Sequence, residues 1–245
     1  MMGRARVGIV AALPEEIRPV QRRLQKTSQV GLRSGKALLG TLRDVPMVTL
    51  ATGDGSERAR GGLTELLSTV DLEVVVAIGI AGGLSADLKV GDVVVAHRVT
   101  NGTGEVPPPD SRLVAKAADL PDVTAGSIHS HSEIAIDPVA KHRLWDQTGS
   151  RRAQVVDLET ASYARVAAAQ QVPYMALRAV SDSSDEALPL DFNLFRKPDG
   201  SSDRGGVTRY ALRHPSILPE LLQLRERLRH CADHLASLVE EILGR

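Results

Sequence analysis

The sequence predicts one α/β domain: a mixed, mostly parallel sheet flanked by helices. Three observations predict it. Short apolar runs rich in Val, Ile and Ala alternate with helical patterns along most of the chain. Two of those runs, Glu73–Ile80 and Pro173–Val180, are almost continuously apolar, as strands covered on both faces are. Gly, Pro and Asp punctuate the joins between runs.

Taken in order, Val7–Ala12 reads as a strand and Pro14–Gln25 as a helix with proline in its first turn. Pro46–Ala51 is a strand, and Thr52-Gly53-Asp54-Gly55 turns into a helix over Glu57–Leu67. The buried strand Glu73–Ile80 is broken by Ala81-Gly82-Gly83. Lys89-Val90-Gly91-Asp92 then turns the chain into Val93–Val99. Asn101–Asp110, rich in Gly and Pro, is a surface loop. Ser127–Ile136 alternates as a strand does. Pro138–Gln147 and Glu159–Gln171 read as helices, and Pro173–Val180 closes the set of strands. Ser183–Gly206 is a long connection of the kind that carries function or disorder. Val207–Arg213 and Pro215–Leu243 follow as helices, the second long and amphipathic. The whole chain, 1–245, is expected to be one domain with a loop at 183–206 and a helical C-terminal segment at 207–245. No internal repeat is found.

Composition narrows the function classes. The 245 residues are 42% hydrophobic and 24% charged, with 30 basic and 30 acidic side chains. That balance gives no electrostatic reason to expect nucleic acid or an anionic membrane as partner. Aromatic residues are scarce, so the core must be built from Val, Leu, Ile and Ala. A lone cysteine, Cys231, cannot form an intramolecular disulfide and suits a reducing compartment. No run reaches membrane-spanning length and the N-terminus lacks a secretory pattern, so a cytoplasmic location is expected.

Four segments carry chemistry. Gly8-Ile9-Val10-Ala11-Ala12-Leu13-Pro14-Glu15-Glu16 is a strand whose end delivers two carboxylates. Thr52-Gly53-Asp54-Gly55 is a glycine turn before a helix. Ile78-Gly79-Ile80-Ala81-Gly82-Gly83-Leu84 precedes Lys89-Val90-Gly91-Asp92-Val93-Val94-Val95. Val156-Asp157-Leu158-Glu159-Thr160-Ala161 is followed by Leu177-Arg178-Ala179-Val180-Ser181-Asp182. Each has a structural explanation by itself: carboxylates in a first helical turn complement the dipole, and glycines at strand ends serve turns. Together they place three acids, Glu16, Glu159 and Asp182, at strand ends. Ligand crevices of α/β sheets lie there.

In this order and spacing the four segments resemble the nucleoside phosphorylase and nucleosidase family, and within it the methylthioadenosine and adenosylhomocysteine nucleosidases. The resemblance covers approximately residues 5 to 186. The segment with Leu188-Pro189, Asp191-Phe192-Asn193 and Leu212-Arg213-His214-Pro215 looks more like the hopanoid-associated branch, which removes adenine from adenosylhopane.

The resemblance implies cleavage of a ribosyl–purine bond with no cofactor and no metal, by a homo-oligomer, expected as a dimer. Such a reaction needs an acid near N7 of the departing base. By position in the motif this is Asp182, with Glu16 where nucleosidases activate water. Glu159 falls at the ribose hydroxyls, with Leu158 packing on the sugar. Ser181, Gly53, Gly82 and Ile134 complete the expected substrate contacts, Ile134 standing where the nucleosidases stack an aromatic ring. Phosphorylases of the six-subunit type place an Arg and a Ser around the glycine that here is Gly79; this chain has Ala77 and Ile80, so water is favoured over phosphate as acceptor. Arg58 is the residue that would speak for an anion. The alternatives are a phosphate-dependent phosphorylase and a protein that binds an adenine nucleoside without cleaving it. His129, His131 and Glu133 share one face of an alternating strand, a pattern that could ligate metal but is read as an ordinary strand face.

Overall fold

The computed structural model describes residues 3–102, 106–148, 154–198 and 200–244. Its strands are β1 (Gly3–Arg4), β2 (Val7–Ala11), β3 (Gln25–Leu32), β4 (Gly35–Leu42), β5 (Val45–Ala51), β6 (Val70–Asp71), β7 (Val74–Gly83), β8 (Val93–Asn101), β9 (Val123–Ser130), β10 (Gln154–Asp157) and β11 (Tyr174–Asp182). Its helices are α1 (Pro14–Gln21), α2 (Ser56–Thr69), α3 (Ser111–Ala118), α4 (Pro138–Thr148), α5 (Thr160–Ala169), α6 (Arg204–Arg213) and α7 (Leu218–Gly244).

Among the described residues, nine strands form one mixed sheet in the order β10-β9-β8-β11-β7-β2-β5-β4-β3, and β1 pairs with β6. The central strands β11, β7, β2 and β5 run parallel, as does the β8-β9-β10 group. β8 meets β11 antiparallel, and β10 returns to β7 through Val155↔Gly83 and Val156↔Gly82. Strands β7, β11, β8, β9 and β10 therefore close into a ring, and the C-terminal ends of β7, β10 and β11 converge.

Side-chain alternation divides the core. Val10 of β2 and Val75 and Ala77 of β7 point to a layer under α2 and α5 that includes Leu63, Leu66 and Tyr163. Ile9, Val76 and Ile78 point the other way, against Ile17 of α1 and Leu235 and Val239 of α7. All nine residues of β11 are buried, Arg178, Ser181 and Asp182 among them.

Several boundaries differ from the sequence expectation, each for a local reason. α1 runs through Pro19 and ends at Gln21, not Gln25, because the Arg23 and Leu24 amides turn back to the Val20 and Gln21 carbonyls and lead the chain into β3. The β3–β4 hairpin was not anticipated: β3 reads Gln-Lys-Thr-Ser-Gln-Val-Gly-Leu and lies mostly exposed at the sheet edge, where apolar alternation is not needed. α3 was likewise missed, although the Asp110 carboxylate caps it by accepting from the Arg112 and Leu113 amides. β9 begins at Val123 and stops at Ser130, not Ile136; beyond it the His131 amide bonds to the Asp157 carbonyl and the chain leaves the sheet. The expected loop 183–206 contains a 3-10 turn, Phe192–Phe195, and gives way to α6 already at Arg204.

Candidate active site

The converging strand ends border a cleft of about 940 Å³. Glu16, Asp182, Glu159, Leu158, Ser181, Gly82 and Ile134 all face it. Gly53 does not line it. Its amide donates to the Ala12 carbonyl, fastening the turn to the end of β2, and the next residue, Asp54, reaches the cleft instead. Arg58 lies with its side chain over Gly53, away from the cleft lining.

Glu16 sits in the first turn of α1. One carboxylate oxygen accepts from the Leu13 amide at 2.8 Å, the reach-back that carboxylates make at helix starts, and the other accepts from the Ile80 amide at 3.0 Å. Burial raises its pKa, opposed by those two bonds. Gly79 leaves room for this approach: a Cβ there would stand 3.2 Å from Glu16 Oε1 and 3.3 Å from the Arg178 guanidinium carbon, and one of them would have to shift.

Arg178, on β11, is the cation around which this end of the site is built. It donates through Nε to Asp157 at 2.8 Å, through one terminal nitrogen to the Ala77 and Leu177 carbonyls, and through the other to Thr160 Oγ1 at 2.7 Å. Asp157 also accepts from Ser130 Oγ at 2.6 Å. A buried charge is tolerable only with its bonds satisfied, and this pair meets that condition.

Glu159 precedes α5 and accepts from the Gly55 amide at 2.7 Å. Burial, then the neighbouring Asp157 charge, pushes its pKa up to about 8. A folded-state pKa above the ordinary 4.5 means the folded chain holds a proton that the unfolded chain has released. The stability this confers is complete at low pH and is lost as pH rises from the ordinary value to about 8. Thermal melts of the ligand-free protein should therefore drop by several degrees between about pH 5 and about pH 8, and Glu159→Gln should flatten that drop. An identical slope in the variant would show that Glu159 does not carry the proton.

At the far end of the cleft Asp182 is buried with Ser181, whose hydroxyl donates to it at 2.5 Å. Gly82 leaves it room, since a Cβ there would stand 3.2 Å from Asp182 Oδ2. The same oxygen is 2.6 Å from Lys141 Nζ, a residue the sequence reading did not single out. Arg178 too appeared there only as part of a motif. The signal for Lys141 was its place on α4 three residues before Leu144, on the face that packs inward.

Ile134 is held by Asn193: the Asn193 amide group donates to the Ile134 carbonyl and accepts from the Ile134 N–H, both at 2.9 Å. With its backbone held in this way, Ile134 faces the cleft with an aliphatic side chain. Of the five large apolar residues in the 183–206 connection, Leu188 and Phe192 line the cleft and Leu190 is buried. Phe195 packs edge-on against Tyr210 of α6, and Leu194 is 73% exposed.

The histidine strand face is divided. His129 ends inside, bonded to Thr100 Oγ1 at 3.1 Å, while His131 and Glu133 lie beyond the end of β9. Among the described residues no group of three or more His, Cys, Asp or Glu is arranged to hold a metal ion, and no helix is long and apolar enough to cross a membrane.

A family model described as the phosphorylase superfamily matches residues 6–210. A 5′-methylthioadenosine/S-adenosylhomocysteine nucleosidase of Exiguobacterium is 30% identical over 213 residues, covering 78% of this chain and 90% of that protein. One from Listeria monocytogenes is 24% identical over 214 residues, covering 77% and 91%. Among solved structures, the Neisseria meningitidis nucleosidase with methylthio-immucillin-A superposes with a TM-score of 0.74 at 20% identity over 98% of each chain. A futalosine hydrolase mutant of Helicobacter pylori gives 0.74 at 19% identity, covering 98% of this chain and 99% of that one.

Proposed function

The chain belongs to the phosphorylase superfamily, and from that premise we propose which residue performs each part of its reaction. The protein is a nucleosidase: it hydrolyses the N-glycosidic bond of a 5′-substituted adenine nucleoside and releases the base. Glu16 takes a proton from the attacking water, Glu159 accepts from the ribose hydroxyls, and Asp182 serves the N7 side of the base. Leu158 and Ile134 pack on sugar and base, with Ser181 and Gly82 shaping the pocket around Asp182.

One observation carries the choice of water over phosphate. The Ile80 amide, beside Gly79, is already occupied by the Glu16 carboxylate, and the cation beside Gly79, Arg178, spends its donors on Asp157, Thr160 and two carbonyls. A phosphate dianion needs free donors at the sugar face and would meet a carboxylate instead. Water, small and able both to donate to Glu16 and to attack, fits that position.

The 5′ side is the less specified end. Ligand pockets span roughly 300–1,000 Å³, so a cleft of about 940 Å³ has room beyond an adenosine. Pro19 of α1, Leu188 and Phe192 of the long connection, and Leu228 and Ala232 of α7 supply apolar wall there. This supports an apolar or thioether 5′ substituent, with the lipid-like group of an adenosylhopane as its extreme. Adenine release from adenosine, its 5′-methylthio derivative and longer 5′-alkylthio derivatives tests it. kcat/KM should rise along the series, by up to ~0.8 kcal/mol of transition-state binding per buried CH₂. A flat or falling series would remove the apolar 5′ site.

We also place the enzyme in the cytoplasm as a homodimer. The single buried cysteine is consistent with a reducing compartment, and exposed Leu212 and Leu222 on α6 and α7 favour a covering second copy.

A further inference from the structure

Lys141 has no exposed surface, yet it is a charged side chain in the second layer behind the cleft. Its ammonium makes three contacts: Asp182 Oδ2 at 2.6 Å, the Ser183 carbonyl at 2.6 Å and the Glu186 carbonyl at 2.6 Å. An ammonium has three donors, so all are committed. A buried lysine is costly, and a neutral side chain of similar length would fill the same volume without that cost. Two carbonyls alone would not need a charge. The remaining partner is the carboxylate assigned to the departing base.

We propose that Lys141 is the positioning residue behind Asp182, holding its carboxylate toward the cleft and supplying the proton that Asp182 passes to the leaving purine. The proposal rests on the reading of Asp182 as the residue facing N7. When the C1′–N9 bond breaks, its electron pair stays with the base, and one proton moves from the Lys141 ammonium to the Asp182 carboxylate and from Asp182 to N7, leaving an amine beside a carboxylate. Water's oxygen bonds to C1′ and its proton goes to Glu16, which releases it to solvent. After the base has left, Asp182 lines an open cleft and returns a proton from solvent to Lys141. The sum is one water added across one bond, with no net proton gained or lost.

Other charged or titratable groups around the pair are already engaged. His142, next to Lys141 on α4, pairs with Asp185 at 3.5 Å. Glu186 pairs through its side chain with Arg227 of α7. Cys231 of α7 donates to the Val180 carbonyl, and burial followed by the Asp182 charge pushes its thiol up to about 11. Lys141 is therefore the cation in direct contact with Asp182.

Two variants separate proton supply from mere packing. Lys141→Met removes the proton source behind Asp182, so kcat should fall by about 10²-fold while KM stays near wild type. Lys141→Arg keeps the charge and the orientation but cannot release a proton. It should lose kcat by a similar factor at every pH while KM stays near wild type. Rescue by Arg, or a folded Met variant with near-normal kcat, overturns the proposal. Asp182→Asn run alongside separates the two claims. If that variant is inert while the Lys141 variants are active, only the lysine's role fails; if it too is active, the reading of Asp182 fails.

Discussion

Asp182→Asn lowers kcat on an adenine nucleoside by about 10²–10⁴-fold, the range that loss of a general acid commands. Asparagine keeps the shape, but if its oxygen accepts from Ser181 Oγ, as Asp182 does at 2.5 Å, its NH₂ faces the Lys141 ammonium and leaves that buried charge short of a partner, a cost in stability that a melt registers. It cannot carry a transferable proton, so the base must depart with its negative charge unrelieved. Binding should be little changed, and the loss should appear in kcat with KM within a few-fold of wild type. Folding is checked by thermal melt. Near-normal turnover in a folded variant would take Asp182 out of the mechanism.

Glu16→Gln should have an effect of the same order, about 10²–10⁴-fold, for the opposite reason: it removes the group that receives water's proton. Glutamine also has one oxygen where the site uses two, facing the Leu13 and Ile80 amides. Its NH₂ must face one of those donors, at a cost of about 1–3 kcal/mol. The pH profile distinguishes the chemical loss from that structural cost. Burial raises the Glu16 pKa above its ordinary 4.5, and the group must be ionised to act as a base. Wild-type kcat/KM should therefore fall as pH drops through that raised value, and the fall should vanish in Glu16→Gln. An acid limb that persists unchanged would assign it to another group.

These residues were legible in the sequence because each stands at the end of a strand whose burial is written as an apolar run. β2, β7 and β11 lie in the middle of the sheet, and their ends deliver Glu16, Gly82 and Asp182, although Ala81-Gly82-Gly83, read as a break, continues β7 by pairing with β10 and β11. The β3–β4 hairpin was illegible because an edge strand owes its place to backbone pairing and not to an apolar face. The partners of the site residues were hidden for a different reason. Lys141 meets Asp182 across 41 positions and Asn193 meets Ile134 across 59, and neither contact leaves a local periodic trace. Arg178 was on the page as part of a motif, but its bonds to Asp157, Thr160 and Ala77 follow only from sheet register. Gly53 misled because a glycine turn before a helix looks the same whether it faces ligand or merely turns the chain.

The measurement that bears most directly on the central claim is the fate of the sugar in wild-type enzyme. With a 5′-alkylthio adenosine in phosphate-free buffer made with isotopically labelled water, free adenine should appear at full rate. The label should be found in the anomeric hydroxyl of the released sugar, and added phosphate should leave the rate unchanged. Adenine release that depends on phosphate and yields a sugar 1-phosphate would contradict the account, because it would require an anion where Glu16 holds the Ile80 amide.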